Sequence, residues 1–122
     1  MEARGLSASE AAQALRAAGL RAPLECDTAE RIAQHGECFA LDFGRGAGVC
    51  VLRRDGNVLW VDAAAATRGD GLTEDGLQFV QAIARRIGAR KIAFETNRRG
   101  LVRKARKAGC RVVGFVMEKD VQ

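Results

Sequence analysis

A chain of 122 residues is long enough for one domain with its own core, and 48% hydrophobic with 29% charged residues is a globular composition, not a disordered or fibrous one. No apolar run approaches membrane-spanning length, and the opening MEARGLSASEAAQAL lacks the apolar stretch of a secretory signal, so the expectation is a cytoplasmic protein without membrane contact. The net charge of +5 is local: Arg98, Arg99, Arg103, Lys104, Arg106 and Lys107 are six bases with no acid among them, and the other 14 bases face 15 acids.

The elements can be read in chain order. Ser7 with Glu10 three residues later forms a capping box ahead of AAQALRAA, with Gly19 as the stop. Ala11, Leu15 and Ala18 share one face of this helix, but alanine is a weak anchor, which marks residues 1–22 as a peripheral or docking element. Pro23 breaks the pattern, and Asp27 with Glu30 opens a second short helix closed by Gly36. Strands follow at 39–43, 48–54 and 57–63, and Asp55-Gly56 marks a tight hairpin between the last two. From Leu72 the period becomes helical, with Val80, Ile83 and Ile87 on one face and Gly88 as the stop. A short strand at 90–96, a basic helix over 97–109 and a last strand at 110–118 complete the chain. In the basic helix Leu101, Ala105 and Ala108 are the inward residues. A strand, a helix and a strand within about 40 residues form a βαβ unit, so strands 57–63 and 91–96 should be parallel neighbours.

Four cysteines, Cys26, Cys38, Cys50 and Cys110, contain no CxxC pair and have only His35 as a companion imidazole. The expectation is reduced thiols and no metal. The sharpest local feature is Arg68-Gly69-Asp70-Gly71-Leu72, leading from a strand into the long helix. A glycine-bearing turn at that junction directs main-chain N–H groups at whatever lies over the helix N-terminus.

This arrangement, a three-strand meander, the glycine turn opening a helix, then strand, helix and strand, resembles the GNAT superfamily of N-acetyltransferases over about residues 21 to 118. The resemblance implies an α/β (α+β) mixed sheet of order α-α-β-β-β-α-β-α-β, an antiparallel meander followed by the βαβ unit, in a single domain over residues 1–122. The family signature Gln/Arg-x-x-Gly-x-Gly/Ala holds the pyrophosphate of acetyl-CoA. Arg68 and Gly71 match it, and Thr73 stands where Gly or Ala is usual. By that likeness Arg68, Gly69, Gly71, Thr73 and Asn97 would contact the cofactor, if CoA binds.

The departures point the other way. Asp70, Glu74 and Asp75 place three acids where a polyanion would sit. The family commonly uses a tyrosine in the following helix as general acid, and this chain has none. The family usually adds two strands after that helix, and the residues here suffice for one. Asp62 and Glu95 are the candidate general bases, each more simply read as a solvated strand-end carboxylate. In these respects the chain resembles shortened, degenerate GNAT-like proteins of phages and prophages. The leading expectation is therefore a non-catalytic accessory or virion-associated binding protein with no cofactor, in the host cytoplasm or the virion, that meets an acidic phage or host protein surface. Two alternatives stand beside it. One is an active acetyl-CoA-dependent N-acyltransferase in which solvent replaces the tyrosine. The other is a basic adaptor binding nucleic acid through Arg98 to Lys107, although no aromatic in 97–109 offers stacking.

Overall fold

A computed structural model describes residues 1–20 and 28–121 of the chain. The expected helix start at Asp27 and the thiol of Cys26 lie outside the described residues. Elements run in the order β1 (Glu2–Leu6), α1 (Ala8–Ala17), α2 (Ala29–Gln34), β2 (Glu37–Asp42), β3 (Ala47–Asp55), β4 (Val58–Arg68), α3 (Thr73–Ile87), β5 (Lys91–Ala93) and α4 (Arg99–Lys107). The strands form one sheet in the order β1-β2-β3-β4-β5, antiparallel throughout except for the parallel pair β4–β5.

Local chemistry sets the boundaries. Ser7 and Glu10 make both halves of the capping box, with Ser7 N–H donating to Glu10 Oε1 (3.0 Å) and Glu10 N–H to Ser7 Oγ (3.1 Å). Thr28 Oγ1 caps α2 by accepting from Arg31 N–H (3.2 Å). Gly88 closes α3 in the left-handed region at φ 74°, which a residue with a Cβ enters only at a cost. Asp55 pairs with Val58, so the β3–β4 hairpin has a two-residue loop, with positive φ at Gly56 (58°). The carbonyl of Asn57 in that loop accepts from both Arg90 and Lys91 N–H, at 2.8 and 3.1 Å, and so joins the hairpin to the start of β5.

Strand β3 is buried on both sides, which is why VCVL reads as a continuous apolar run. Val49 and Val51 face α1 and α2, where they meet Ala11, Leu15, Ala29 and Ala33. Cys50 and Leu52 face α3, where they meet Phe79, Val80 and Ala84. Phe39 and Phe79 stack edge to face with centroids 5.7 Å apart. The alanines of α1 are core residues: Ala11 and Leu15 are fully buried, because small side chains let the helix approach the sheet closely.

The GNAT-like mixed sheet, with its meander and βαβ unit, is the architecture expected, and the order of elements differs at the two ends. The additional strand β1 has a sequence, EARGL, without alternation, and only Leu6 is partly covered; it pairs along one edge of β2 through its main chain. At the other end, 110–118 makes no strand pairing, and residues 111–121 are all exposed. A β-forming sequence is a strand only when a neighbour satisfies its main chain. Ala108, expected inward, is exposed at the end of α4, and Ala105 alone in that helix is buried.

Candidate functional site

The site is a fork in the sheet. Strand β4 pairs with β3 along its whole length, but with β5 only at Val58, Leu59 and Trp60 against Lys91, Ile92 and Ala93. Among the described residues, none pairs as a strand with the β4 edge on the β5 side from Val61 to Arg68, so main-chain donors and acceptors line an open seam.

Two bulges shape β4. Val51 pairs with Ala63 and Leu52 with Val61, leaving Asp62 as the extra residue, and a second shift leaves Thr67 between Ala66 and Arg68. The first bulge reverses which face each side chain takes. Leu59 and Val61 pack on the α3 side, but Ala63 and Ala65 pack on the α1/α2 side, where an unbroken two-residue period would have kept all four together.

At the fork one of the two candidate carboxylates, Asp62, pairs with a guanidinium. Arg53 Nε–H donates to Asp62 Oδ2 (2.8 Å) and its Nη2 to Asp62 Oδ1 (3.2 Å), a two-point pair. The guanidinium also lies 5.7 Å from the Trp60 ring centroid. The pair with Asp62 raises the Arg53 pKa above its ordinary value, against some loss of solvation, and the charges of Asp55 and Glu95 add to the rise. Both Asp62 oxygens thus accept from Arg53, which fixes the carboxylate against the guanidinium. Glu95 is exposed in the chain that leaves β5.

Arg53 and Trp60 were not singled out from sequence, yet their meeting was legible. A two-residue loop at Gly56-Asn57 fixes residue 53 opposite residue 60. The bulge that turns Asp62 toward the same guanidinium has no such signal.

Along β4 the open seam ends at the glycine turn. Gly69 and Gly71 both take positive φ, 77° and 63°, and α3 begins with no side-chain cap on its first N–H groups. The turn leans on the β2–β3 loop so closely that side chains are excluded. A Cβ on Gly46 would lie 2.9 Å from the Arg68 carbonyl oxygen and from both Leu72 methyls, and one on Gly69 would lie 3.0 Å from the Arg45 carbonyl oxygen. Arg68, the first signature residue, folds back to Asp42 Oδ1 (3.4 Å) and the Gly44 carbonyl (3.3 Å). Arg45 bridges the two loops, donating to the Gly71 carbonyl (2.9 Å) and to Asp75 Oδ2 (2.5 Å). The three acids are therefore not equivalent: Arg45 neutralises Asp75, and among the described residues no cation pairs with Asp70 or Glu74. Arg45 is a further site residue that sequence reading missed, since nothing local links it to residue 75.

The remaining predicted residues lie at the margin. Thr73 is half-buried in the first turn of α3, and Asn97 is exposed before α4. Arg98 N–H donates to Thr96 Oγ1 (3.0 Å) and starts that helix. Arg99, Arg103, Arg106 and Lys107 line a shallow groove around Val102, and Lys104 is exposed beside them. Burial pushes the Cys50 thiol up to about 12, and burial followed by the Glu37 charge raises that of Cys38; both are core groups. Among the described residues, no three His, Cys, Asp or Glu side chains are placed to hold a metal ion, and no helix is long and apolar enough to cross a membrane.

No protein-family model and no curated protein matches the chain. Solved structures do. An acetyltransferase from Trypanosoma brucei is similar with a TM-score of 0.62 at 18% identity, over 98% of this chain and 99% of that one. An aminoglycoside N-acetyltransferase in complex with CoA gives 0.57 at 20% identity, over 99% of both chains. Glucosamine-6-phosphate N-acetyltransferase from Arabidopsis thaliana gives 0.60 at 12% identity, over 99% of this chain and 98% of that one. These neighbours overturn the expectation of a non-catalytic phage or virion-associated accessory protein: several solved structures that share the fold over nearly the whole chain are acetyltransferases, one of them in complex with CoA. With β4 parting from β5 above a glycine turn, and with these neighbours, the chain has the GNAT-like fold.

Proposed function

We propose that the protein is an acetyl-CoA-dependent N-acyltransferase. The observation that carries this reading is the open edge of β4, which starts where β5 departs at Trp60–Ala93 and runs into the two-glycine turn at the head of α3. An extended arm with amide groups, such as that of CoA, can complete the β4 edge through main-chain hydrogen bonds. Its pyrophosphate would then meet the uncapped N–H groups of a 15-residue helix. Gly46 and Gly69 keep the turn close to the β2–β3 loop, and Arg45 ties the two together through Gly71 and Asp75. The donor set fits a polyanion in shape, and Asp70 and Glu74 weaken the fit in charge.

The reaction requires the acceptor amine to form a C–N bond at the thioester carbonyl as the C–S bond breaks. One proton leaves the amine and one reaches the sulfur. Glu95, exposed beside the fork and uncommitted to Arg53 by any hydrogen bond, is the carboxylate that takes the amine proton through water. Asp62 instead holds Arg53 and Trp60 in place. With no tyrosine in the chain, the sulfur takes its proton from solvent.

Two measurements test the proposal. Titration calorimetry with CoA should give saturable binding, and a ligand at 100 times its Kd should stabilise the fold by about 2.7 kcal/mol. Thiol release from acetyl-CoA should accelerate with an amine acceptor from a primary-amine panel and fall on Glu95→Gln. Absence of both CoA binding at millimolar concentration and amine-dependent thiol release would overturn the reading.

A further inference from the structure

We infer that the outward face of α4 is a docking surface for the phosphate backbone of duplex nucleic acid. Arg99, Arg103, Arg106 and Lys107 line one shallow groove together with Val102, and no acid lines it. At 3.6 residues per turn these four cations fall within an arc of about 100°, turned away from half-buried Leu101 and buried Ala105. The helix is held by its apolar side, and its cations are left in solvent. The ion pairs among the described residues engage Arg16, Arg45, Arg53 and Arg68, and none involves a base of α4.

These charges also work against the helix that carries them. α4 has no acid in its first turn and no side-chain cap, and Arg98 and Arg99 stand at the end where the helix dipole favours an anion. Arg99 with Arg103, and Arg103 with Lys107, are like charges four residues apart, a spacing that destabilises a helix. The first turns of α1 and α3 follow the opposite rule, with Glu10 in one and Glu74 and Asp75 in the other. A polyanion laid along α4 relieves both conflicts at once.

Spacing and residue type select which polyanion. From Arg99 to Lys107 the helix rises about 12 Å. A duplex carries one phosphate per about 1.7 Å of its axis, so roughly seven lie within that reach and four cations find partners. An acidic protein surface would have to crowd four mutually repelling carboxylates into the same span. Three of the four cations are arginines, whose planar fork grips phosphate oxygens through two parallel N–H bonds. No aromatic ring lines the groove, so a single strand has nothing there to stack on. Contacts of this kind go to phosphates alone and carry no sequence preference.

The test is binding of the full chain to a labelled DNA duplex of about 20 base pairs, followed by fluorescence anisotropy as salt is raised from about 50 to 200 mM. Four phosphate contacts should give a slope of log affinity against log salt of about −3.6. Arg103→Glu with Arg106→Glu should weaken binding at least tenfold and bring the slope to about −1.8, with an unchanged circular dichroism spectrum. Arg103→Gln with Arg106→Gln should give the same slope, and it replaces the reversed variant if that one loses helix. Arg103→Lys with Arg106→Lys should keep the wild-type slope. Arg85→Glu with Arg86→Glu makes the same change in net charge on α3 and should leave the slope as it is. A folded wild type that does not bind the duplex at about 50 mM salt overturns the inference. Equal losses from the α3 and α4 reversals overturn it, since binding would then follow net charge. Tighter binding of a single strand of the same length overturns it, and so does poly-glutamate that competes as well as the duplex, which would assign the surface to an acidic protein.

Discussion

The two ends of the sheet are built differently. From β1 to β4 the strands pair along their lengths, and β3 is covered by helices on both faces with Val51 and Leu15 wholly buried. From β5 onward the protein is thin: three paired residues, a nine-residue helix with Ala105 as its buried residue, and an exposed apolar segment. The candidate site lies on the seam, with one wall from each part. A ligand bound there would rest on the well-packed β4 and against the more thinly packed wall, in line with the general finding that binding elements come from the less stable parts of a fold.

That contrast makes the largest prediction. Leu15→Ala should cost about 2–5 kcal/mol in urea unfolding, because a fully buried leucine on α1 leaves a cavity against Val49 and Val51. Leu101→Ala, on half-buried α4, should cost less than half as much. Equal losses would mean that the two ends are one cooperative unit of equal strength. Next in size is Gly46→Ala. Its Cβ would press on the Arg68 carbonyl and on Leu72, and should cost roughly 1–3 kcal/mol of stability. CoA affinity should fall further than stability alone explains, since the same contact shapes the turn at the head of α3.

What was legible follows the same division. The capping box at Ser7, the Asp55-Gly56 hairpin, the α3 period and its Gly88 stop are local signals, and each appears where residue chemistry puts it. β1 was not legible because EARGL has neither alternation nor bulk, and the strand exists only by pairing with β2. The 110–118 segment fails for the opposite reason: its pattern is that of a strand, and no edge of its own sheet receives it. At the site the glycine turn and both carboxylates were visible in sequence. The Arg45 bridge to Asp75 spans 30 residues, and the bulge at Asp62 depends on register, so neither leaves a local mark.

A smaller effect probes the strong end. Ser7→Ala should cost about 1 kcal/mol by removing the α1 cap. The Ser7 main-chain N–H, then its hydroxyl, hold the Glu10 carboxyl below its ordinary 4.5. A carboxyl depressed in the folded state stabilises above its unfolded pKa, and that contribution is lost as pH falls through the folded value. Stability measured from pH 6 down to 3 should therefore slope less steeply in Ser7→Ala than in wild type.

The smallest effect bears most directly on function. Among the described residues no cation pairs with Asp70 or Glu74, while Asp75 is held by Arg45. If a pyrophosphate occupies the head of α3, each unpaired carboxylate opposes it by about 0.3–1 kcal/mol, the scale of a charge at a helix terminus. Asp70→Asn and Glu74→Gln should each tighten CoA binding by about two- to fivefold. Asp75→Asn should not help, because it frees Arg45 from its bridge and loosens the two loops as it removes a charge. The gains should shrink with added salt, since the groups are exposed. Such gains would make the acids a brake on cofactor affinity at an otherwise competent turn. If both neutral variants bind CoA no more tightly than wild type at low salt, the pyrophosphate does not sit over α3, and the open edge of β4 takes a ligand of another kind.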